Sequence, residues 1–368
     1  MTLPLANLDQ RTRFAEAHSI LEQAVRDRAF PGAAYGILLK GMVVALDAVG
    51  RFTYQGDSPA VTPATIFDLA SVTKVLATTS VAMLLYDRGI LDLEAPLGEI
   101  LPGFVIGRAP GSGKERVTLR MLLAHSSGLP AYARLFEQHT ASNQLLRACL
   151  QMPLEAAPGE RAEYSDIGFI LLGKALEVLA GDYLSRFCPR EIFAPLELTS
   201  TLFCPPTSMR QQIPPTVNDI AFRKRIIQGE VHDEHAFVLG GCAGHAGLFS
   251  NALDVLRFAA CILAEGRSSN GTQLFNPATV RLFATRQSEP VGTSRALGWD
   301  TPTAPSSSGK HFSSSSIGHL GYTGTSLWID PERELAVVLL TNRTWPDREN
   351  KAIQSVRPAF HDAVFVGL

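Results

Sequence analysis

Two hairpin patterns stand near opposite ends of this chain, and the long stretch between them carries a helical rhythm instead. Residues 32–39 and 42–49, in "GAAYGILLKGMVVALDAVG", are β-rich runs on either side of Lys40-Gly41, which suits a two-residue turn. "TSLWID", "PERE" and "LAVVLLTN" repeat the strand–turn–strand pattern over 325–342. From 71 to about 286 the apolar residues recur at helical spacing, as in "RMLLAH", "GFILLGKALEVLAG" and "ALDVLRFAACILAEG", with proline-rich loops between. Helical spacing also covers 9–27 (Phe14, Ile20, Leu21, Val25), and a last helix is expected over about 350–363. Strands at both ends with helices between them predict an α/β unit closed by its two termini, with a helical insertion. The expected organisation is a single unit over 1–368, with a sheet lobe from 1–65 and 290–368 and a mainly helical lobe over 66–289. No internal repeat is present, and "PTAPSSSGKHFSSSS" (302–316) is expected to be an exposed loop.

Composition narrows the function classes. At 368 residues, 46% hydrophobic and 18% charged, the chain can bury a sizeable core. A net charge of −2 leaves no electrostatic footprint for nucleic acid. No stretch reaches the ~18 uninterrupted apolar residues of a membrane span. The N-terminal "MTLPLANLDQRTRFAEAHSI" lacks the basic start and apolar run of a signal peptide. The five cysteines, Cys149, Cys188, Cys204, Cys242 and Cys261, are odd in number and form no C-x-x-C pair, so buried free thiols in a reducing compartment are expected. These features predict a cytoplasmic protein with no nucleic-acid or membrane partner. Nothing in them fixes the oligomeric state.

Chemistry concentrates in "FDLASVTKVLATTSVAML", Phe67 to Leu84. One of only seven lysines, Lys74, stands in an otherwise apolar run, three residues after Ser71. On a helix those two side chains share a face. A serine hydroxyl is a weak nucleophile until a base takes its proton, and a buried lysine can be that base because burial disfavours its charged form. The pattern occurs again at Ser307 and Lys310, but in the serine-rich loop, with no apolar shell around it. Two further segments accompany the first copy. Tyr164 lies in a Tyr-Ser-Asp turn before a helical run, and His319-Leu320-Gly321 precedes the C-terminal hairpin. Taken singly, these are an ordinary tyrosine and an ordinary loop histidine.

In this order the three segments resemble the signatures of penicillin-recognising serine enzymes: S-x-x-K, then Y-x-N or S-x-N, then K-T-G or H-x-G. The resemblance runs from about Pro31 to Pro346 and is nearest to the class C β-lactamase and related serine-hydrolase family. "FDLASVTKVLATTSVAMLLYDRGILDLEAPLGEILP", "VTLRMLLAHSSGLP" and "AGHAGLFS" are similar to segments of that family. It implies an α+β fold of the β-lactamase/transpeptidase kind, with an antiparallel sheet flanked by terminal helices, a helical lobe, and the site in the cleft between them. It implies Ser71 as the nucleophile of an acyl-enzyme, Lys74 and Tyr164 as the proton-transfer pair, and the backbone N–H groups of Ser71 and Tyr322 as the oxyanion hole. Asp166, His319 and Gly321 fall at substrate-binding positions, with Gly321 letting a substrate backbone approach the edge strand. No cofactor and no metal are implied. The chain departs from the pattern twice. Asp166 stands where asparagine is usual, which predicts a charged Lys74 and moves the base role toward Tyr164. His319 stands where many lactamases have lysine.

"VHDEHAFVLGGCAGH" (231–245) brings His232, Asp233, Glu234, His235 and His245 together in sequence. His-x-x-His with a carboxylate invites a metallohydrolase reading, but the segment does not match H-E-x-x-H and its glycines indicate a loop. The preferred reading is a cleft-lining loop in which His232, Asp233 and His245 meet substrate. It is similar to a segment of a subgroup containing cytosolic N-acetylmuramyl-L-alanine amidases and relatives of penicillin-binding proteins. "APGSGKE" (109–115) fails as a phosphate loop, since Arg108 occupies the first glycine position and Glu115 follows the lysine. No G-x-S-x-G elbow occurs. The expected activity is cleavage of an amide or ester through an acyl-enzyme on Ser71, with a peptidoglycan fragment as substrate. The alternatives are a carboxylesterase, a weak β-lactamase or D-Ala-D-Ala carboxypeptidase, and more remotely a non-catalytic binding protein or a metallohydrolase.

Overall fold

The computed structural model describes residues 3–5, 10–107 and 111–368. The start of the 9–27 helix and Arg108 to Pro110 of the phosphate-loop-like segment lie outside the described residues. Among these residues ten strands occur: β1 Gly32–Leu39, β2 Met42–Gly50, β3 Phe67–Asp68, β4 Leu202–Phe203, β5 Pro215–Asp219, β6 Arg225–Gln228, β7 Leu248–Ser250, β8 Ile317–Leu320, β9 Ser326–Asp330 and β10 Leu335–Thr341. Five of them build one antiparallel sheet in the order β2-β1-β10-β9-β8.

The two hairpins of the sequence form, and they join through their inner strands. At the first turn Leu39 faces Met42, and Lys40 and Gly41 both have positive φ (49° and 76°). That backbone twist matches the twist of the flanking strands. β10 then pairs with β1 in a register that sets Ala33 against Thr341 and Leu39 against Leu335. As the middle strand, β10 is buried at all seven residues, which is why it reads as an unbroken apolar run. Its alternate residues feed two cores. Val337 and Leu339 meet Tyr35 and Ile37 on the face covered by helices Ala15–Arg26 and Ile353–Val366, through Leu21, Phe360 and Val364. Ala336, Val338 and Leu340 face the larger core with Val255, Leu256 and Phe258 of helix Ala252–Leu263.

The segment between the hairpins is mostly helical but holds two small sheets that its pattern hides. β3, β7 and β4 form one, and β5 with β6 the other. Strands of two or three residues are too short for any alternation to show, and β5 opens on a proline. β3 and β7 matter for the site, because their pairing sets Asp68 opposite Phe249 just before Ser71. Helix Asp166–Ala180 starts sharply: Ser165 is its N-cap, accepting from the Gly168 amide at 2.9 Å, and Gly181 ends it at φ 63°.

Two expectations need correction. The serine-rich stretch 302–316 has no regular structure, yet Ser308 and Ser316 are fully buried and Ser313 donates to Asp330 at 2.7 Å, so the loop is anchored rather than merely exposed. Among the cysteines, Cys149, Cys188 and Cys261 are buried free thiols, but Cys204 is exposed and Cys242 half-buried. The short β4 and glycine-rich segments that carry them leave no deep core around either.

β8 is an outer strand of the sheet, and its last residue leads into a tight turn at Gly321. Buried Arg357, from the last helix, donates to the carbonyls of Gly321 (2.7 Å), Thr325 (3.0 Å) and Gly324 (3.2 Å). A Cβ at Gly321 would collide with Thr325 Oγ1 and the Leu69 carbonyl. The glycine is thus required by internal packing of the sheet edge against the Ser71 segment, a reason distinct from the substrate approach expected of it. Gly321→Ala is expected to destabilise the fold by about 1–3 kcal/mol, the usual range for overpacking. Gly56→Ala, with nothing within 4 Å of the added carbon, is expected to be silent. Parallel thermal or denaturant unfolding of the two variants checks this; equal stability would refute it.

Candidate active site

Ser71 does not open an ordinary α-helix. Ala70–Val72 form one 3₁₀ turn, Lys74–Thr79 a wide π turn, and the regular helix begins only at Ser80–Asp87. Ala70 sits at φ 47°, a left-handed conformation that a non-glycine residue adopts at some cost. The buried Asp68 holds it there, accepting from the Ala70 amide at 2.8 Å with one oxygen and from the His232 amide at 2.6 Å with the other. Burial raises the Asp68 carboxyl to about 6 despite those two amides. The result is a tight presentation of Ser71 at the cleft with Lys74 one turn beneath it.

Lys74 is fully buried. Its Nζ lies 3.0 Å from Ser71 Oγ, 2.8 Å from Asp166 Oδ1 and 3.0 Å from the His245 carbonyl. The Tyr164 hydroxyl lies 2.8 Å from the same Ser71 Oγ. Asp166 stands in the first turn of helix Asp166–Ala180, where a carboxylate is favoured, and so reaches Lys74 from above. Burial and Asp166 act on Lys74 in opposite directions. Burial lowers the Lys74 ammonium from its ordinary value more than Asp166 raises it. Tyr164 is pushed well above the usual phenol range, first by burial and then by the Asp166 carboxylate. Asp166 therefore works against a tyrosinate as well as supporting a charged lysine.

His319, at the outer strand, is buried and held well below its ordinary pKa, chiefly by burial and then by Lys74, so its ring is neutral. Its Nδ1 faces the Leu320 carbonyl at 2.8 Å, a contact that requires the proton on Nδ1. Nε2, which has no partner, is then an acceptor. The turn after β8 leaves the Tyr322 amide unused: Gly321 donates to Thr325 O and Gly324 to Gly321 O, while the Tyr322 amide has no acceptor among the described residues. The Ser71 amide likewise has none among them.

A cleft of about 790 Å³ opens over this centre, and Ser71, Tyr164, Asp166, His232, Asp233, His319, Gly321 and Tyr322 all line it. The structure thus gathers nearly every residue singled out in the sequence. His245 is the exception. It is buried behind Asp233, which its Nε2 contacts at 2.7 Å, and it does not face the cleft; it serves Lys74 through its carbonyl. His232 faces the cleft as a neutral ring, lowered to about 3 by burial and nearby arginines. The segment is also not all loop: Glu234–Val238 is a short helix capped by Asp233.

Other contributors escaped the sequence reading. The Arg295 guanidinium lies 5.7 Å from the Tyr164 ring centre and lines the cleft. His125 accepts from the Ser165 amide at 3.0 Å and stacks on Tyr164 at 4.7 Å, fixing the ring from behind. Arg343 donates to the Tyr322 carbonyl at 2.7 Å and lies over its ring. A lone arginine in a loop carries no signal; His125 sits in "LLAHSSGLP", where only the family likeness marked the segment.

The second S-x-x-K remains apart. Lys310 is tied by its amide to Asp362 at 2.6 Å, on the last helix, and the Ser307 carbonyl faces His361.

Residues 17–358 match the family model described as Beta-lactamase. N-acetylmuramyl-L-alanine amidase of Bacillus subtilis (strain 168) is 33% identical over 347 residues, covering 85% of this chain and 77% of that protein. A putative D-alanyl-D-alanine carboxypeptidase of Escherichia coli (strain K12) is 34% identical over 308 residues, covering 77% and 70%. Among solved structures, EstCE1, a hydrolase with promiscuous acyltransferase activity, superimposes with a TM-score of 0.74 at 22% identity over 96% of this chain and 99% of that one. A penicillin-binding protein homolog from Caulobacter crescentus does so with a TM-score of 0.74 at 20% identity, over 97% and 98%. The two structures share the fold, an antiparallel sheet with helices; the family match spans the serine, lysine, tyrosine and histidine segments alike. The chain belongs to the β-lactamase family of serine hydrolases.

Proposed function

We propose that this hydrolase cleaves an amide or ester of a small peptidoglycan-derived substrate, with Ser71 as nucleophile, Lys74 as its base and Tyr164 as the acid for the leaving group. The observation that carries it is the convergence of Lys74 Nζ and the Tyr164 hydroxyl on one oxygen, at 3.0 and 2.8 Å. With Lys74 neutral, Ser71 donates its proton to Nζ as it attacks the carbonyl carbon. The oxyanion that forms is met by the free amides of Ser71 and Tyr322. Tyr164, held protonated, gives its proton to the departing nitrogen or oxygen. Water then attacks the acyl-enzyme and returns a proton to Tyr164, while Lys74 returns the first proton to Ser71 Oγ as the ester breaks. Every proton is restored after one turnover.

His319 supports the choice of substrate. A lysine at this position offers a cation to the carboxylate that penicillins and D-alanyl termini share. A neutral, buried ring at this position offers a carboxylate no such cation. The name of the Bacillus subtilis relative, an N-acetylmuramyl-L-alanine amidase, points to a muramyl amide, and free thiols at all five cysteines suit a reducing cytoplasm, where such fragments are recycled.

Treatment with a fluorophosphonate is expected to place one adduct on Ser71, found by intact mass and peptide mapping. An adduct on Ser307 or Ser326 with Ser71 untouched would overturn the mechanism. Lys74→Ala and Tyr164→Phe are each expected to lower turnover by ~10²–10⁴, the usual worth of a positioned acid or base. Tyr164→Phe, which loses only a hydroxyl, should keep the fold; near-normal rates in both variants would place the proton acceptor elsewhere. Among N-acetylmuramyl-L-alanine, D-alanyl-D-alanine peptides, short esters and a chromogenic cephalosporin, the muramyl amide is expected to give the highest kcat/KM. A cephalosporin or D-alanyl peptide ahead of it would refute the substrate assignment and leave the serine chemistry intact.

A further inference from the structure

One cluster with ligand chemistry is left unused by the serine centre. Asp233, His235 and His245 each offer a ligand atom, a carboxylate oxygen or a ring nitrogen, and the three lie within 4.8 Å of one another. We infer that Asp233, His235 and His245 form a binding site for a divalent transition metal of the zinc type, on the wall of the cleft behind Lys74. The inference is independent of the substrate assigned above and needs only the folded chain.

The state of the imidazoles argues for it. His235 and His245 are fully buried; Nε2 of His245 already faces Asp233, and neither nitrogen of His235 has a hydrogen-bond partner of good geometry among the described residues, the Ala133 backbone making only an approach. Tyr132 and Phe136 meet the His235 ring edge-on, with centroids 5.1 and 5.3 Å away, which orients the ring but satisfies neither nitrogen. Buried polar atoms without partners are costly, and a buried pair of histidines that converges on a carboxylate has a ready use for its lone pairs.

The donor set selects the ion. Two imidazoles and one carboxylate suit zinc, cobalt or nickel, whereas calcium and magnesium want oxygen cages. Three protein ligands leave a fourth tetrahedral position, and Asp233 is the member of the trio that lines the cleft. Bonds of ~2.0–2.1 Å set tetrahedral ligand atoms roughly 3.3 Å apart. The 2.7 Å hydrogen bond between Asp233 and His245 opens slightly on binding, and the widest separation closes by about 1.5 Å, within reach of side-chain torsions. The sequence expectation of no metal weighed His232 against His235; the fold pairs His235 with Asp233 and His245 instead.

The site has a positioning role. His245 gives its carbonyl to Lys74 Nζ at 3.0 Å, and the neighbouring Gly244 carbonyl accepts from Thr78 Oγ1 at 2.6 Å. An ion on the His245 ring would pin the loop that carries both acceptors.

The test is metal binding by the full chain after chelation and dialysis. Zinc is expected to bind at one equivalent, to raise the unfolding midpoint where magnesium and calcium do not, and cobalt(II) to give the visible absorption of a tetrahedral site. His235→Asn is expected to weaken zinc binding by roughly tenfold or more, while Glu234→Gln, a neighbour outside the cluster, is expected to bind as the unaltered chain does. Should His235→Asn not fold, His235→Gln makes the same comparison. Substoichiometric zinc at micromolar concentration, or equal affinity in the His235 variant, overturns the site. Fluorophosphonate labelling of Ser71 in the same samples reports the serine centre separately.

Discussion

The buried amino group of Lys74 is the constraint around which the rest is arranged. A lysine with no exposed surface is tolerable only if Nζ finds hydrogen-bond partners, and here they come from three places: Ser71 Oγ one turn away, Asp166 at the start of another helix, and the His245 carbonyl before β7. Those contacts tie the wide turn after Ser71, the helix Asp166–Ala180 and the 240–247 loop to one atom. They also explain the charge balance. Asp166 compensates a charged lysine, while burial favours a neutral one, and burial is the larger influence. A pair poised this way can give up a proton and take one back during a single turnover, which an exposed lysine with an unaltered pKa would do poorly at neutral pH.

The sheet supplies the other wall, and its precision comes from the chain's far end. Arg357 and Arg343 are buried guanidinium groups with no carboxylate within ion-pair distance among the described residues. Their donors go to backbone carbonyls instead: Gly321, Gly324 and Thr325 for Arg357, and Tyr322, Arg348 and Asn350 for Arg343. Burial lowers Arg357 only to about 9, so it keeps its charge near neutrality. Two fixed cations therefore grip the turn that exposes the Tyr322 amide. The last helix is distant from the chemistry in sequence, yet it sets where that amide points.

Much of this was legible from residues alone, for physical reasons that also mark the limits. The hairpins showed because a two-residue turn and period-two burial leave a local trace, down to Lys40-Gly41. Ser71, Lys74 and Tyr164 showed because a lysine in an apolar run is conspicuous and the three segments occur in a known order. The turn that presents Ser71 did not show, since 3₁₀, α and π turns accept the same small apolar residues. The two- and three-residue strands β3, β4 and β7 fall below any periodicity. Arg295 and the trio of Asp233, His235 and His245 depend on contacts between side chains whose directions only the fold decides. The balance at Lys74 was illegible for a related reason: "Asp near Lys" gives the sign of one interaction, but the depth of burial, which acts against it, is a property of the packed lobe.

His319 shows how substrate preference can change while the nucleophile stays put. It stands on the sheet wall, whereas Ser71, Lys74 and Tyr164 belong to the helical side. Charge alone does not decide which ligand is preferred, because Arg343 and Arg357 already stand at the same cleft. Much of their donor capacity is committed to carbonyls, and a cation whose N–H groups are spent attracts anions weakly and without direction. His319 adds no cation of its own, because its ring is buried and neutral, with the Nδ1 proton held by the Leu320 carbonyl. A backbone carbonyl and burial together keep this position uncharged, where a lysine would offer a carboxylate its cation.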